Sequence, residues 1–182
     1  MYEAPTLRDA TDDDAAAIAE IYNESIRVAT ATMDTALKTA LDIRRQMKAF
    51  SNREGYMVLE SDGAVIGWGV IKLYSPRPGY SRCAETSVFL RGSELRRGYG
   101  SRIKRVLIER CRAYGYRHLI ARIWADNEAS IAYNRNFGYE LVGIQREIGY
   151  IDGHWQDIAV MQLVLEDVGP EVADRFFEAR SS

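Results

Sequence analysis

The chain has 182 residues, 47% hydrophobic and 27% charged, with a formal net charge of -2. That balance excludes disorder as the main state and disfavours a polyanion-binding protein, while the length suits one domain with a sizeable core. Cys83 and Cys111 are too few for a disulfide scaffold, and His118 and His154 lack the neighbours a structural zinc site needs.

In chain order, Thr6 to Ala10 reads as a short strand. Thr11-x-x-Asp14 then has the form of a capping box, followed by Ile18, Ile21, Tyr22 and Ile26 at helical spacing. Thr39-x-x-Asp42 repeats the start signal before Ile43, Met47 and Phe50. Between them, Val28 to Lys38 is rich in Thr and Ala and reads as a loop or a broken helix. Tyr56 to Glu60 and Ala64 to Tyr74 form a strand pair around the turn Ser61-Asp62-Gly63. Gly67 and Gly69, inside the second strand, are candidate bulge positions.

Ser75-Pro-Arg-Pro-Gly79 is a loop, Glu85 to Leu90 a strand, and Gly98-Tyr-Gly100-Ser101 the opening of a helix. That helix carries Ile103, Val106, Leu107 and Cys111 on one face and Arg and Lys on much of the other. Leu119 to Trp124 is the next strand. Ala129 to Phe137 is helical and stops at Gly138, a C-cap. Tyr139 to Tyr150 and Trp155 to Leu165 pair around Asp152-Gly153, and a short helix follows Pro170. The order predicts a mixed α/β fold with too few βαβ units for a doubly wound sheet. Residues 1–14 hold no basic segment followed by an apolar one, and no apolar run approaches the ~20 residues of a membrane span, so a cytoplasmic protein is expected.

The most informative segment for chemistry is Glu85-Thr-Ser-Val-Phe-Leu90 followed by Arg96-Arg97-Gly98-Tyr99-Gly100-Ser101. Free amides at a helix start, the helix dipole, two glycines and two arginines together suit a pyrophosphate. On the residues alone, an ordinary strand-to-helix turn with surface arginines fits equally. The loop is not a P-loop, because Gly100 is followed by Ser101-Arg102. It is not a dinucleotide fingerprint either, because Ile103 stands where the third glycine would be.

Arg96-Arg97-Gly98-Tyr99-Gly100 resembles the coenzyme A loop of the GNAT superfamily of N-acetyltransferases, with Leu95 at the position usually held by Gln or Arg. Asn127-x-x-Ser130-x-x-Tyr133-x-x-x-Phe137-Gly138-Tyr139 is similar to a second block of that superfamily. The resemblance runs from about Thr6 to about Leu165. Within it, the phosphinothricin and methionine sulfoximine acetyltransferase group is the nearest in pattern. Its catalytic glutamate falls on Glu85 and its substrate-loop Arg-x-x-Tyr on Arg77 and Tyr80. Its Gly-x-Trp-x-Asp falls on Gly153, Trp155 and Asp157, and its early Tyr-Asn on Tyr22-Asn23. Two positions depart. Tyr133-Asn134 stands where the group often has Leu-His, and Met33 stands at an aromatic position of the substrate pocket.

The resemblance implies a single N-acetyltransferase domain over residues 1–182, with its core at about 6–165 and a mixed central sheet flanked by helices. It implies acetyl-CoA as co-substrate, no metal, no covalent intermediate, a homodimer, and a small amino-acid-like acceptor. Neither a nucleic acid nor a membrane is an expected partner. Glu85 would be the general base and Tyr133 the acid for the departing thiolate. Coenzyme contacts would come from Val88, Phe89, Leu90, Arg96, Arg97, Gly98, Tyr99, Gly100, Ser101, Asn127 and Ser130. The acceptor would meet Met33, Arg77, Tyr80, Glu85 and Ser87, with Arg77 for its carboxylate. Read without the family, Glu85 is a salt-bridged strand residue, Tyr133 core packing before Phe137, and Arg77 a solvated loop cation. The rival functions are acetylation of protein N-termini or polyamines, and a non-catalytic acyl-CoA sensor.

Overall fold

Both start signals do in space what their residue types dictate. The computed structural model describes residues 4–28 and 31–170. The carboxylate of Asp14 accepts from the Thr11 amide at 2.7 Å, and a 3-10 turn at Asp12–Asp14 leads into α1 (Ala15–Val28). Asp42 accepts from the Thr39 amide at 2.8 Å and opens α2 (Ala40–Ala49). The remaining elements are β1 (Thr6–Asp9), β2 (Gly55–Ser61), β3 (Ala64–Leu73), β4 (Cys83–Leu90), α3 (Tyr99–Ala113), β5 (His118–Trp124), α4 (Glu128–Arg135), β6 (Glu140–Ile151) and β7 (His154–Val164). The strand at Glu85 thus begins earlier, at Cys83. The helix expected after Pro170 lies outside the described residues.

The described residues divide into two compact units, one drawn from those up to Lys72 together with Ser87–Leu107, the other from Leu73–Thr86 and those from Ile108 onward. In the first, the strand order is β1-β2-β3 and then the second half of β4. β1 with β2 and β2 with β3 are antiparallel. The core gathers Ile18 and Ile21 of α1, Ile43 of α2, and Tyr56, Val58, Trp68 and Val70 of the hairpin. The Trp68 ring lies 4.6 Å from Phe89 and 5.2 Å from Tyr56, and its indole nitrogen donates to the Ile18 carbonyl at 3.1 Å.

The register between β2 and β3 shifts at Leu59/Glu60, so the bulge borders Gly67 and leaves Gly69 in regular pairing. Both glycines serve close packing instead. A Cβ on Gly69 would lie 2.6 Å from the Ile103 side chain and 2.7 Å from that of Leu107. One on Gly67 would lie 2.3 Å from the Leu90 side chain and 3.0 Å from the Phe89 carbonyl oxygen. Here α3 and the end of β4 press on β3 where it has no side chain.

In the second unit the order is the first half of β4, then β5, β7 and β6. β4 and β5 are parallel, whereas β7 is antiparallel to both β5 and β6. Alternation along β5 turns Leu119, Ala121 and Ile123 inward, opposite Leu163, Met161 and Ala159 of β7. His118, Ile120, Arg122 and Trp124 take the other face. Among the described residues β6 pairs with β7 alone and forms the edge.

Candidate active site

The glycine loop of the first unit forms as its residue types require. After β4 a 3-10 turn at Gly92–Glu94 precedes Arg96 at φ 61° and Gly98 at φ 82°. The left-handed conformation at Gly98 is one that a residue with a Cβ resists. The Gly98 carbonyl accepts the first in-helix bond, from Arg102 at 3.2 Å, so α3 begins directly behind the loop. Arg97 is engaged locally. It is ion-paired with Glu94 at 2.7 Å, and its guanidinium sits 5.3 Å from the centre of the Tyr99 ring. Arg96 is exposed.

The early Tyr22-Asn23 pair acquires a structural role. Tyr22 Oη bonds Thr32 Oγ1 at 2.5 Å and donates to Asp34 at 2.8 Å, which ties down the residues on either side of Met33. Asn23 donates to the Lys38 carbonyl at 2.9 Å and accepts from the Lys38 amide at 2.8 Å. The irregular segment carrying Met33 is thereby fastened to α1. Phe89 points into the aromatic core, 5.0 Å from Tyr22, so its backbone rather than its ring is what β4 can offer a ligand.

In the second unit, the parallel ladder of β4 with β5 runs from Cys83 to Glu85 and stops at the pair Glu85↔Ile120. Two residues further along β5 and on the same face stands Arg122. Its Nε donates to Glu85 Oε1 at 3.1 Å, and its Nη2 donates to Glu85 Oε2 in a second, short bond. Glu85 is mostly enclosed, at 17% side-chain exposure, and Arg122 is half exposed, at 52%. The hydrogen bond to Glu85 pushes the Arg122 pKa further up, against the opposing effect of burial. Burial first, and then the Glu85 charge, pushes the Cys83 thiol up to about 11, which keeps it protonated and poorly nucleophilic at neutral pH.

Arg77 is exposed and starts a 3-10 turn at Pro78–Tyr80. The Tyr80 ring meets that of Tyr74 edge-on at 5.4 Å. Asn127 caps α4, its Oδ1 accepting from the Ser130 amide at 3.0 Å. Tyr133, partly buried, meets the ring of Phe137 at 5.2 Å. Asp157 accepts from the Glu147 amide at 2.7 Å and so pins the register shift of β6 between Gln145 and Gly149. Its backbone carbonyl also holds the Ala125 amide after β5. The sequence reading missed Arg122. The available signal was a lone cation in the otherwise apolar Leu119-Ile-Ala-Arg-Ile-Trp124. Among the described residues no three His, Cys, Asp or Glu side chains are grouped to hold a metal, and no helix is long and apolar enough to cross a membrane.

A glycine loop that opens a basic helix, and a strand that carries a mostly enclosed glutamate, are features of a group-transfer enzyme of the acyltransferase kind. The sequence profile of the Acetyltransferase (GNAT) domain family matches residues 7–160, and the chain belongs to that family of N-acetyltransferases. It is 32% identical over 166 residues to an L-methionine sulfoximine/L-methionine sulfone acetyltransferase of Pseudomonas aeruginosa, covering 88% of this chain and 95% of that one. It is 31% identical over 161 residues to a phosphinothricin N-acetyltransferase of Alcaligenes faecalis, covering 87% and 82%. A phosphinothricin acetyltransferase of Sinorhizobium meliloti, solved in complex with acetyl-CoA, superposes with a TM-score of 0.83 at 30% identity, covering 93% of this chain and 97% of that one.

Proposed function

We propose that the chain is one acetyltransferase domain that moves the acetyl group of acetyl-CoA to the α-amino group of a small amino-acid-like acceptor of the methionine sulfoximine or phosphinothricin type. Acetyl-CoA is the donor. The first unit supplies the residues suited to hold it, namely the helix start at Tyr99, Gly100 and Ser101, the Gly98 turn, and the cations Arg96 and Arg97. Val88–Leu90 offer backbone donors and acceptors to the extended, amide-bearing pantetheine.

In the second unit Glu85 takes a proton from the acceptor's ammonium. The amine nitrogen then attacks the thioester carbonyl, the new C–N bond forms, and the C–S bond breaks. Tyr133 protonates the thiolate, and the second proton that the nitrogen sheds as the amide forms restores the Tyr133 hydroxyl, while Arg77 and Tyr80 contact the acceptor from their loop. The observation that carries this reading is Glu85 itself, a mostly enclosed carboxylate at the end of the β4–β5 ladder. Glu85→Gln keeps the shape and removes the base. Turnover is expected to fall about 10²–10⁴-fold, with acetyl-CoA binding by calorimetry unchanged. Undiminished turnover of methionine sulfone would refute the assignment.

The enzyme is a homodimer in which a second copy covers β6. Support comes from that edge strand, where Val142, Ile144, Ile148 and Tyr150 are exposed beside Trp155. Apolar groups on an unpaired edge invite a partner.

A further inference from the structure

The ion pair of Glu85 and Arg122 does not exhaust either member. A guanidinium carries five N–H donors in a planar fork. Glu85 occupies one edge of the fork, through Nε and Nη2. The end-on edge, formed by one hydrogen of Nη1 and the second of Nη2, has no hydrogen-bond partner among the described residues, and half the side chain is open to solvent. That edge has the geometry that binds a carboxylate in two parallel bonds. It sits directly beside the Glu85 carboxylate, the acceptor of the substrate's proton in the proposed reaction.

We propose that Glu85 and Arg122 together form a clamp for a zwitterion, with the acceptor's ammonium on Glu85 and its α-carboxylate on the free edge of Arg122. This inference rests on Glu85 being the base and narrows the acceptor class to α-amino acids. One planar cation then does two things at once. It fixes the orientation of the base, and it sets the carboxylate at the short distance from the nitrogen that an α-amino acid has. The α-carboxylate thereby passes from Arg77, on its exposed loop, to Arg122, on a strand paired on both sides. Arg77 is left to meet whatever the acceptor's side chain carries. Tyr74 and Tyr80, ring against ring at 5.4 Å, form an aromatic wall for that side chain. A polyamine would place a second cation against Arg122 and be repelled. A peptide N-terminus would present a neutral carbonyl where the clamp expects a carboxylate.

The test compares L-methionine sulfone with its α-carboxamide as acceptors, using the wild-type protein, Arg122→Gln and Arg122→Lys. The wild type is expected to prefer the acid in kcat/KM. In Arg122→Gln that preference should shrink about 10–100-fold, the cost of losing charge-assisted hydrogen bonds, with the loss on the acid carried mainly by KM. Arg122→Lys, which keeps the charge without the fork, should fall between. If Arg122→Gln slows acid and amide equally, Arg122 only positions Glu85 and the clamp is overturned while the proposed function stands. If the wild type acetylates only a peptide or a polyamine, the acceptor class itself fails and the clamp with it. A thermal melt of each variant separates either result from loss of fold.

Discussion

The β2–β3 and β6–β7 hairpins are closed by the same dipeptide in the same conformation. Asp62-Gly63 has φ angles of 50° and 75°, and Asp152-Gly153 has 49° and 82°. Two successive positive φ angles are the turn geometry that matches strand twist, and Asp-Gly supplies it cheaply. Beyond the turns the two hairpins part. β3 is buried from Val65 to Ile71 under helices and aromatic rings, whereas β6 is exposed along most of its length. Turn chemistry thus determines that a hairpin forms. What covers the hairpin is decided by residues far away in the chain.

The buried hairpin depends most on Trp68. Trp68→Ala removes the ring that Phe89, Tyr56 and Tyr22 surround, and should cost about 3–5 kcal/mol in urea unfolding. Gly69→Val tests the close approach of α3. It drives a branched side chain against Ile103 and Leu107 and should cost about 1–3 kcal/mol. A tolerated valine would mean that α3 moves freely on β3.

The outer edge of the first hairpin is sealed by β1, whose Arg8 pairs with Asp14 at 2.7 Å and with Glu60 at 2.6 Å. The hydrogen bond from Arg8, opposed by burial, holds the Asp14 carboxyl below its ordinary value of 3.8. A depressed carboxylate contributes its stabilisation above the ordinary value and loses it as pH falls through the lower folded one. Asp14→Asn should therefore cost about 1–2 kcal/mol at pH 7, less than a buried pair because Arg8 is partly exposed. The gap between variant and wild type should close as the pH drops below about 4. A gap independent of pH would assign the effect to packing.

The second hairpin has no such seal among the described residues. Trp155 and Tyr150 stack edge-on at 5.0 Å, with 63% and 60% of their surfaces exposed. Trp155→Ala should change the unfolding free energy of the isolated chain by less than about 0.5 kcal/mol. In sedimentation at micromolar concentration, however, it should shift dimer to monomer. A wild type that already sediments as a monomer would remove the second copy from the proposal.

Local chemistry was legible in the sequence. Both capping boxes, both Asp-Gly turns and the glycine start of α3 stand where their residue types predict, because each depends on neighbours within four positions. The role of Gly69 was not legible, since it is set by side chains on a helix more than thirty residues away. The same holds for Arg122. Its partnership with Glu85 needs the parallel register of β4 and β5, and no periodicity within either strand encodes that register. Asp157, matched to a family motif, turned out to be bonded to the backbone of β6, a contact that only the bulge in that strand creates.

The parallel pairing of β4 with β5 also bears on when the site comes into being as the chain folds. A hairpin closes a loop of a few residues, whereas Glu85 meets Ile120 only after the whole intervening crossover has been drawn in. Closing so long a loop must be compensated by contacts made elsewhere first, and non-local pairings of this kind are slow. The carboxylate and its guanidinium are therefore late acquisitions. A refolding chain should regain its hairpins and helical signal before it regains the ability to transfer an acetyl group.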